Sequence, residues 1–334
     1  MRLQESETTH RWSIVLAGGE GERTRPFIEQ WLGYHKPKQF CSFVGNRSML
    51  QHTWDRADQL TRPEQKITVV GEHHAAEMAQ QVMGKPSGQV IYQPHNCGTA
   101  AGIFLPLTYV RHRDPQATVI LYPSDHFVFP EYRFVQMAGK LMRAAELFSD
   151  RLILLGVAPT EVELDYGWIE PTQSLAWIRG SQVRKIGAFV EKPNSQCARA
   201  AMEAGGIWNT FVLAAKVEAF WQLGWECLPD VMQHFEEFGN VIGTSLEQPT
   251  LQMMYEVMPH RNFSSDILQR VPERVGVLEM RDVMWSDWGH PTRICETLRA
   301  IEREPTFTSS GEQMGTSSAR ENTRAPLSTD RILA

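Results

Sequence analysis

The segment Leu16–Phe27, LAGGEGERTRPF, sets Gly18, Gly19 and Gly21 directly after a short apolar run and places Arg23 and Arg25 just beyond them. Glycines in such a turn let consecutive backbone N–H groups close around phosphate oxygens without a Cβ in the way. A plain strand-to-helix turn with exposed charges has the same local pattern, so the rest of the chain must decide. A Walker A loop needs Lys and Ser/Thr after its last glycine, and the dinucleotide fingerprint needs a third glycine where Thr24 stands. Neither fits. What remains is Gly-Gly-x-Gly-x-Arg followed, after a short gap, by HKPKQF at His35–Phe40.

Two aspartates and a lysine have the types and positions for phosphate chemistry. Asp125, in YPSDH, follows the apolar run Thr118–Tyr122, and Asp287, in WSDWGHP, follows the run Asp282–Ser286. Carboxylates at the carboxyl ends of two strands face one crevice in an open α/β sheet. Such a pair suits Mg²⁺, which takes one or two carboxylates and completes its octahedron with water and phosphate oxygens. An isolated Asp in a turn serves as often as a cap. Lys192 follows the strand-like run Val183–Val190, where its ammonium can reach an anion. No HExxH spacing surrounds His126 or the pair His73-His74, so these are read as structural. Neither a GxSxG elbow nor a cysteine nucleophile signature occurs, and covalent catalysis has no support.

Leu16–Arg23 together with Lys36–Phe40 resembles the signature of the sugar-1-phosphate nucleotidyltransferases, and PKQF is most similar to the mannose-1-phosphate guanylyltransferases among them. QPHNCGTAA (Gln93–Ala101), YPSDH, DYGWIEP (Asp165–Pro171), FVEKP (Phe189–Pro193), Trp208-Asn209 and WSDWGHP follow in the family's order, so the resemblance spans Trp12–Ile301. It implies that Leu16, Ala17, Gly18, Gly19, Gly21, Arg23, Gln93, Asn96, Gly98 and Thr99 hold a nucleoside triphosphate. Tyr166, Gly167, Glu191, Lys192 and Asn209 would then hold a sugar 1-phosphate, Asp125 and Asp287 would hold Mg²⁺, and Arg23, Lys38 and Lys192 would be the catalytic cations. GTP and mannose 1-phosphate are the substrates it favours. A glucose-1-phosphate enzyme using UTP, dTTP or ATP, or a non-catalytic subunit that binds nucleotide sugar, are the rival readings. The chain departs from the pattern at Thr24-Arg25, and WNTFV replaces Trp-Asn-Ser-Gly-x-Phe, so that Thr210 and Phe211 stand in a sugar-contacting segment.

The elements that must position these residues alternate. Strand-like runs at Trp12–Ala17, Lys66–Gly71, Thr118–Tyr122, Leu152–Val157, Val183–Val190 and Val275–Met280 are interleaved with helical periodicity at Ser48–Leu60, His74–Met83, Gly98–Val110, Tyr132–Phe148, Ser195–Ala204, Val217–Gly224 and Thr292–Ile301. Such alternation predicts an α/β protein, and with the resemblance a Rossmann-like three-layer α/β/α fold with a mixed, mostly parallel central sheet. Residues 1–303 are expected to form one catalytic domain, with a nucleotide half at 11–150 and a sugar-phosphate half at 151–303, and the Ser/Thr/Glu/Arg-rich 304–334 a disordered tail.

Whole-chain properties exclude other classes. A chain of 334 residues with formal net charge −6 is not built to neutralise a nucleic-acid backbone. Five scattered cysteines without a CxxC pair signal neither a disulfide framework nor a zinc site. The polar start MRLQESETTH and the lack of any apolar run of about eighteen residues predict a cytoplasmic protein without membrane contact. A homodimer is the assembly allowed for, with small-molecule substrates as the partners.

Overall fold

The computed structural model of the chain describes residues 10–83 and 88–307, so most of the expected tail, 308–334, lies outside the described residues. Its strands are β1 (Arg11–Leu16), β2 (Lys66–Gly71), β3 (Gln89–Gln93), β4 (Thr118–Pro123), β5 (Phe127–Phe129), β6 (Leu152–Val157), β7 (Gly167–Ile178), β8 (Ser181–Glu191), β9 (Ile207–Lys216), β10 (Val275–Met280) and β11 (Met284–Ser286). The helices are α1 (Arg25–Leu32), α2 (Met49–Ala57), α3 (Ala75–Gln81), α4 (Gly98–Arg113), α5 (Glu131–Leu147), α6 (Ser195–Glu203), α7 (Val217–Cys227), α8 (Pro229–Gly239), α9 (Glu247–Val257) and α10 (Pro291–Ala300).

Among the described residues one nine-stranded sheet runs in the order β3-β2-β1-β4-β9-β6-β10-β8-β7. Its first four strands pair in parallel, as do β6 and β10, while β9 runs antiparallel to both β4 and β6. The expected mixed sheet with a parallel core is therefore present. Strands such as β4 and β6 are buried along their whole length, the pattern of strands covered on both faces. Side chains alternate across β1, so Ile14 joins the core beneath α4, α7 and α8 while Val15 joins the core beneath α2 and α5. These two cores are the two interfaces of the three layers.

Several elements went unread in the sequence. β7 carries Pro171 and a run of exposed and half-exposed residues, because past its first residues it forms an arm paired to β8 with register shifts between Glu170 and Ala176. Its period-2 signal is broken accordingly. β9 bulges against β6 between Leu155 and Gly156. There Phe211 takes φ +57°, the left-handed region that favours glycine, which accounts for the resembling family's Gly at this place. Thr210 turns its hydroxyl inward to the Leu155 carbonyl at 2.5 Å.

Two small features bring segments distant in sequence together at the sheet's carboxyl edge. β5 and β11 pair antiparallel, with Ser286 opposite Phe127 and Trp285 opposite Val128. A third apolar cluster joins α1 and α10 through Ile28, Phe43, Trp288, Ile294, Leu298 and Phe307. In it Trp288 stacks on Phe127 at 4.6 Å and meets Phe43 edge-on at 5.3 Å.

Candidate functional site

The chain leaves β1 outward to β2 and β3 and returns to β4 on its other side, so the strand order reverses between β1 and β4. Ligands of open α/β sheets bind beyond the strand carboxyl ends at such a reversal. Leu16 and Pro123 are register partners there, which sets the glycine loop beside the Ser124-Asp125-His126 turn. The cleft between them is lined by Leu16, Gly18, Gly19, Gln93, Asn96, Gly98, Thr99 and Asp125, all singled out in the sequence, together with Gln39, His126 and Phe211.

Local hydrogen bonds shape the loop. Gln39, part of PKQF, donates its amide to the carbonyls of Ala17 at 3.0 Å and Gly19 at 2.7 Å. Thr24 is buried and returns its hydroxyl to the Gly21 carbonyl at 3.0 Å, so the departure at this position braces the loop. Of the two arginines beyond the glycines, Arg23 bonds the carboxylates Asp165 and Asp287, whereas Arg25 pairs along its own helix with Glu29 at 2.9 Å, as the i,i+4 spacing allows.

Across the cleft, Asn96 accepts a bond from the Gly98 amide at 2.8 Å and Thr99 accepts one from the Phe263 amide at 2.8 Å. Gly98, at φ +88°, passes so close to Arg261 that a Cβ would lie 2.2 Å from its carbonyl oxygen. Gln93 donates to the Tyr255 hydroxyl at 3.1 Å.

The charged centre is one continuous chain of contacts. Arg23 donates to Asp287 at 2.8 Å and to Asp165 at 2.7 Å. Asp287 also accepts bonds from the Tyr166 hydroxyl at 2.7 Å, Arg293 at 2.8 Å and the Gly289 amide at 2.9 Å. Any side chain at Gly289 would put a Cβ 2.5 Å from Asp287 Oδ2 and 2.7 Å from Arg23. Lys38, buried, donates a short bond to the Asp287 main-chain carbonyl and pairs with Asp125 at 2.8 Å. One ammonium thus ties together the two aspartates that lie 162 positions apart in sequence.

Electrostatics follow from that packing. Burial opposes ionisation of Asp287, but Lys38 and the Tyr166 hydroxyl outweigh it and hold its carboxyl well below the usual range. Asp125 shows the same contest, burial against Lys38 and His126, with the same outcome. Burial pushes the Tyr166 hydroxyl far up, so it stays a donor at any ordinary pH. Burial depresses His126, against the pull of Asp125.

The remaining expected residues gather on the β7–β8 side. Gly167 opposes Glu191 in the ladder, Lys192 donates its amide to the Tyr166 carbonyl at 3.3 Å, and the Glu191 amide donates to Gln269 at 3.1 Å. Burial raises Glu191 above the ordinary carboxylate range, although Lys192 and Ser264 pull the other way. Lys192 sits at φ +46°, an unfavourable backbone for a non-glycine residue. Asn209 is buried on β9 and accepts the Phe211 amide at 3.1 Å. Tyr166 links this group to the charged centre: its ring meets Trp208 and Trp285 at 5.1 Å each, and its hydroxyl reaches Asp287.

Sequence reasoning missed Arg293, Glu163, Asp165 and Gln39. Arg293 bridges Asp287, Tyr166 and Glu163 from the first turn of α10. Only its place just after WSDWGHP could have flagged it. Gln39 lay inside the quoted motif without a role.

The oxygen donors at Asp125 and Asp287 suit a hard divalent cation. Asp125 meets Lys38 through Oδ2 at 2.8 Å, and its Oδ1 lies 3.7 Å from His126 Nε2, beyond hydrogen-bond distance.

Among known proteins, the chain is similar to a mannose-1-phosphate guanylyltransferase of Escherichia coli, 25% identical over 282 residues, covering 83% of this chain and 59% of that one. It is also similar to the xanthan biosynthesis protein XanB of Xanthomonas campestris pv. campestris, 31% identical over 201 residues, covering 59% of this chain and 40% of the other. The chain thus spans about six-tenths or less of the length of these curated relatives. The fold is shared with a crystal structure described as mannose-1-phosphate geranyltransferase from Thermus thermophilus, with TM-score 0.69 and 23% identity over 84% of this chain and 77% of that one. Residues 12–304 match the model of the nucleotidyl transferase family, and the chain belongs to that family.

Proposed function

We propose that the protein transfers a nucleoside monophosphate from a nucleoside triphosphate to a sugar 1-phosphate, releasing pyrophosphate, with GTP and mannose 1-phosphate as the preferred pair. The observation that carries this reading is the unbroken chain Arg23–Asp287–Lys38–Asp125, which joins a glycine loop to two carboxylates at one strand reversal. The guanylyltransferase relatives support the choice of base and sugar.

The sugar-phosphate oxygen is already ionised, so it attacks the α-phosphorus in line without a protein nucleophile. The chain's task is to hold two polyanions together and to offset their repulsion. Backbone N–H groups at Gly18–Gly21 cradle the triphosphate, and Arg23 supplies fixed charge beside it. Gln93, Asn96, Gly98 and Thr99 line the space for the nucleoside. Lys192 meets the sugar phosphate, and Glu191 and Asn209 sort its hydroxyls, since a mismatched sugar leaves a desolvated group unpaired. Asp125 and Asp287 would hold Mg²⁺, which supplies electrostatic stabilisation of the transferring phosphoryl group. Tyr166 and Arg293 fix the Asp287 carboxylate in place.

Incubation with GTP, mannose 1-phosphate and Mg²⁺ is expected to give GDP-mannose and one equivalent of pyrophosphate. A panel of UTP, dTTP and ATP against glucose 1-phosphate tests the specificity. No product from any pair, with retained binding of GDP-mannose, would overturn the reading in favour of a non-catalytic nucleotide-sugar-binding protein.

A further inference from the structure

Glu20, at the tip of the glycine loop, turns toward the turn that follows β2 and meets the two histidines read from sequence as structural. His73 Nε2 lies 2.9 Å from one Glu20 oxygen and His74 Nε2 lies 3.5 Å from the other. Among the described residues this is the group of three ligand-type side chains whose donor atoms all fall within 4.8 Å of one another. From these contacts we infer that Glu20, His73 and His74 form a binding site for a transition-metal dication of the zinc class, separate from the aspartate pair at Asp125 and Asp287.

Geometry supports the assignment. His73 Nε2 and His74 Nε2 reach the two different oxygens of the one Glu20 carboxylate at 2.9 and 3.5 Å, so a single carboxylate lies against both imidazoles, and one donor atom from each residue falls within 4.8 Å of the others. The donor set is two imidazoles and one carboxylate, which selects zinc, cobalt or nickel over magnesium, whereas the Asp125–Asp287 pair offers oxygen alone. Two His and one Glu are also a set that leaves a fourth position open. His73 is half exposed, while His74 is buried against the Phe40 ring at 5.8 Å and fixes the inner edge. The two imidazoles lie side by side with centroids 3.9 Å apart. That arrangement repels when both are protonated and is stabilised when both bind one cation. The His73 ring covers the Cα of Gly71, where a Cβ would lie 2.6 Å from it.

The consequence is a clamp. Glu20 sits between Gly19 and Gly21, and the histidines follow β2, the parallel neighbour of β1. A bound ion would tie the loop to the turn after the adjacent strand β2. His74 Nδ1 is buried with no partner. Metal-bound histidines usually gain about ten- to a hundredfold in affinity from such a partner, so micromolar rather than tighter binding is expected. The proposal is independent of the reaction catalysed.

The test uses the full chain, stripped with a chelator and returned to buffer with excess Mg²⁺ to fill any oxygen site. Titration with Co²⁺ is expected to give one equivalent with the intense visible bands of a tetrahedral ion, displaced by Zn²⁺. H73A, whose side chain is half exposed, and E20Q should each abolish the bands, while D125N should keep them. Zn²⁺ should also raise the melting temperature of the wild type and leave that of H73A unchanged. Absence of the bands in the wild type, or their survival in H73A, overturns the site and leaves an ion pair between Glu20 and His73.

Discussion

The two walls of the cleft are held in place by opposite means. The glycine loop is braced from its own neighbourhood: Gln39 and Thr24, which bond its carbonyls, lie within 22 residues of their partners. Asp287 has near partners too, the Gly289 amide and Arg293, but it is also braced across the chain, by Tyr166 at a separation of 121 residues and Arg23 at 264. Local bracing lets a loop form with the strand beside it. The second kind exists only once the β5–β11 ribbon and the cluster around Trp288 have closed. The loop should therefore tolerate single changes, whereas the Asp287 centre should lose geometry and stability together.

Asp287→Asn tests this contrast most severely. It keeps the shape but removes the charge faced by Arg23, Arg293 and Lys38, and pyrophosphate release should fall by about two to three decades. The melting temperature should fall as well, because partly buried cations lose their counter-charge. A fully active Asn variant would break the comparison. Next is Arg293→Lys, which cannot reproduce the guanidinium's simultaneous bonds to Asp287, Tyr166 and Glu163. We expect kcat to fall about tenfold with KM nearly unchanged, the mark of a positioning residue. A KM effect alone would instead mean direct substrate contact.

On the other wall, Gln39→Ala removes two bonds to the loop carbonyls, and its main effect should be a several-fold rise in KM for the nucleotide. A loss as large as that of Asp287→Asn would show the loop to be no more tolerant than the carboxylate centre. The smallest effect is expected at Glu191. Burial raises its folded value above the ordinary carboxylate range, so its ionisation at neutral pH opposes folding, and the protein regains that stability as pH falls below the unfolded value. Glu191→Gln should thus melt higher than the wild type at pH 7 and no higher near pH 3.5, as a pH series of thermal melts would record.

The sequence by itself determined the alternation that builds the sheet core, since Ile14, Val15, Ile120 and Leu121 sit in short apolar runs between segments of helical period. The family resemblance picked out motifs that line the cleft, Gly18 and Gly19 after β1, Asp125 after β4, and Gln93, Gly98 and Thr99 at and beyond the end of β3, a strand that periodicity did not show. The irregular arm β7 and the bulged β9 were illegible: Pro171 and Phe211 break the periodicity for reasons that lie in register with other strands. Tertiary structure alone decided that Arg23 meets Asp165 and Asp287, that Lys38 joins Asp125 to Asp287, and that Arg293 reaches Tyr166 and Glu163. Glu20 reaching His73 and His74 belongs to the same class. Side-chain contacts across 50 to 264 residues are set by strand order and ribbon pairing, and no spacing along the chain encodes them.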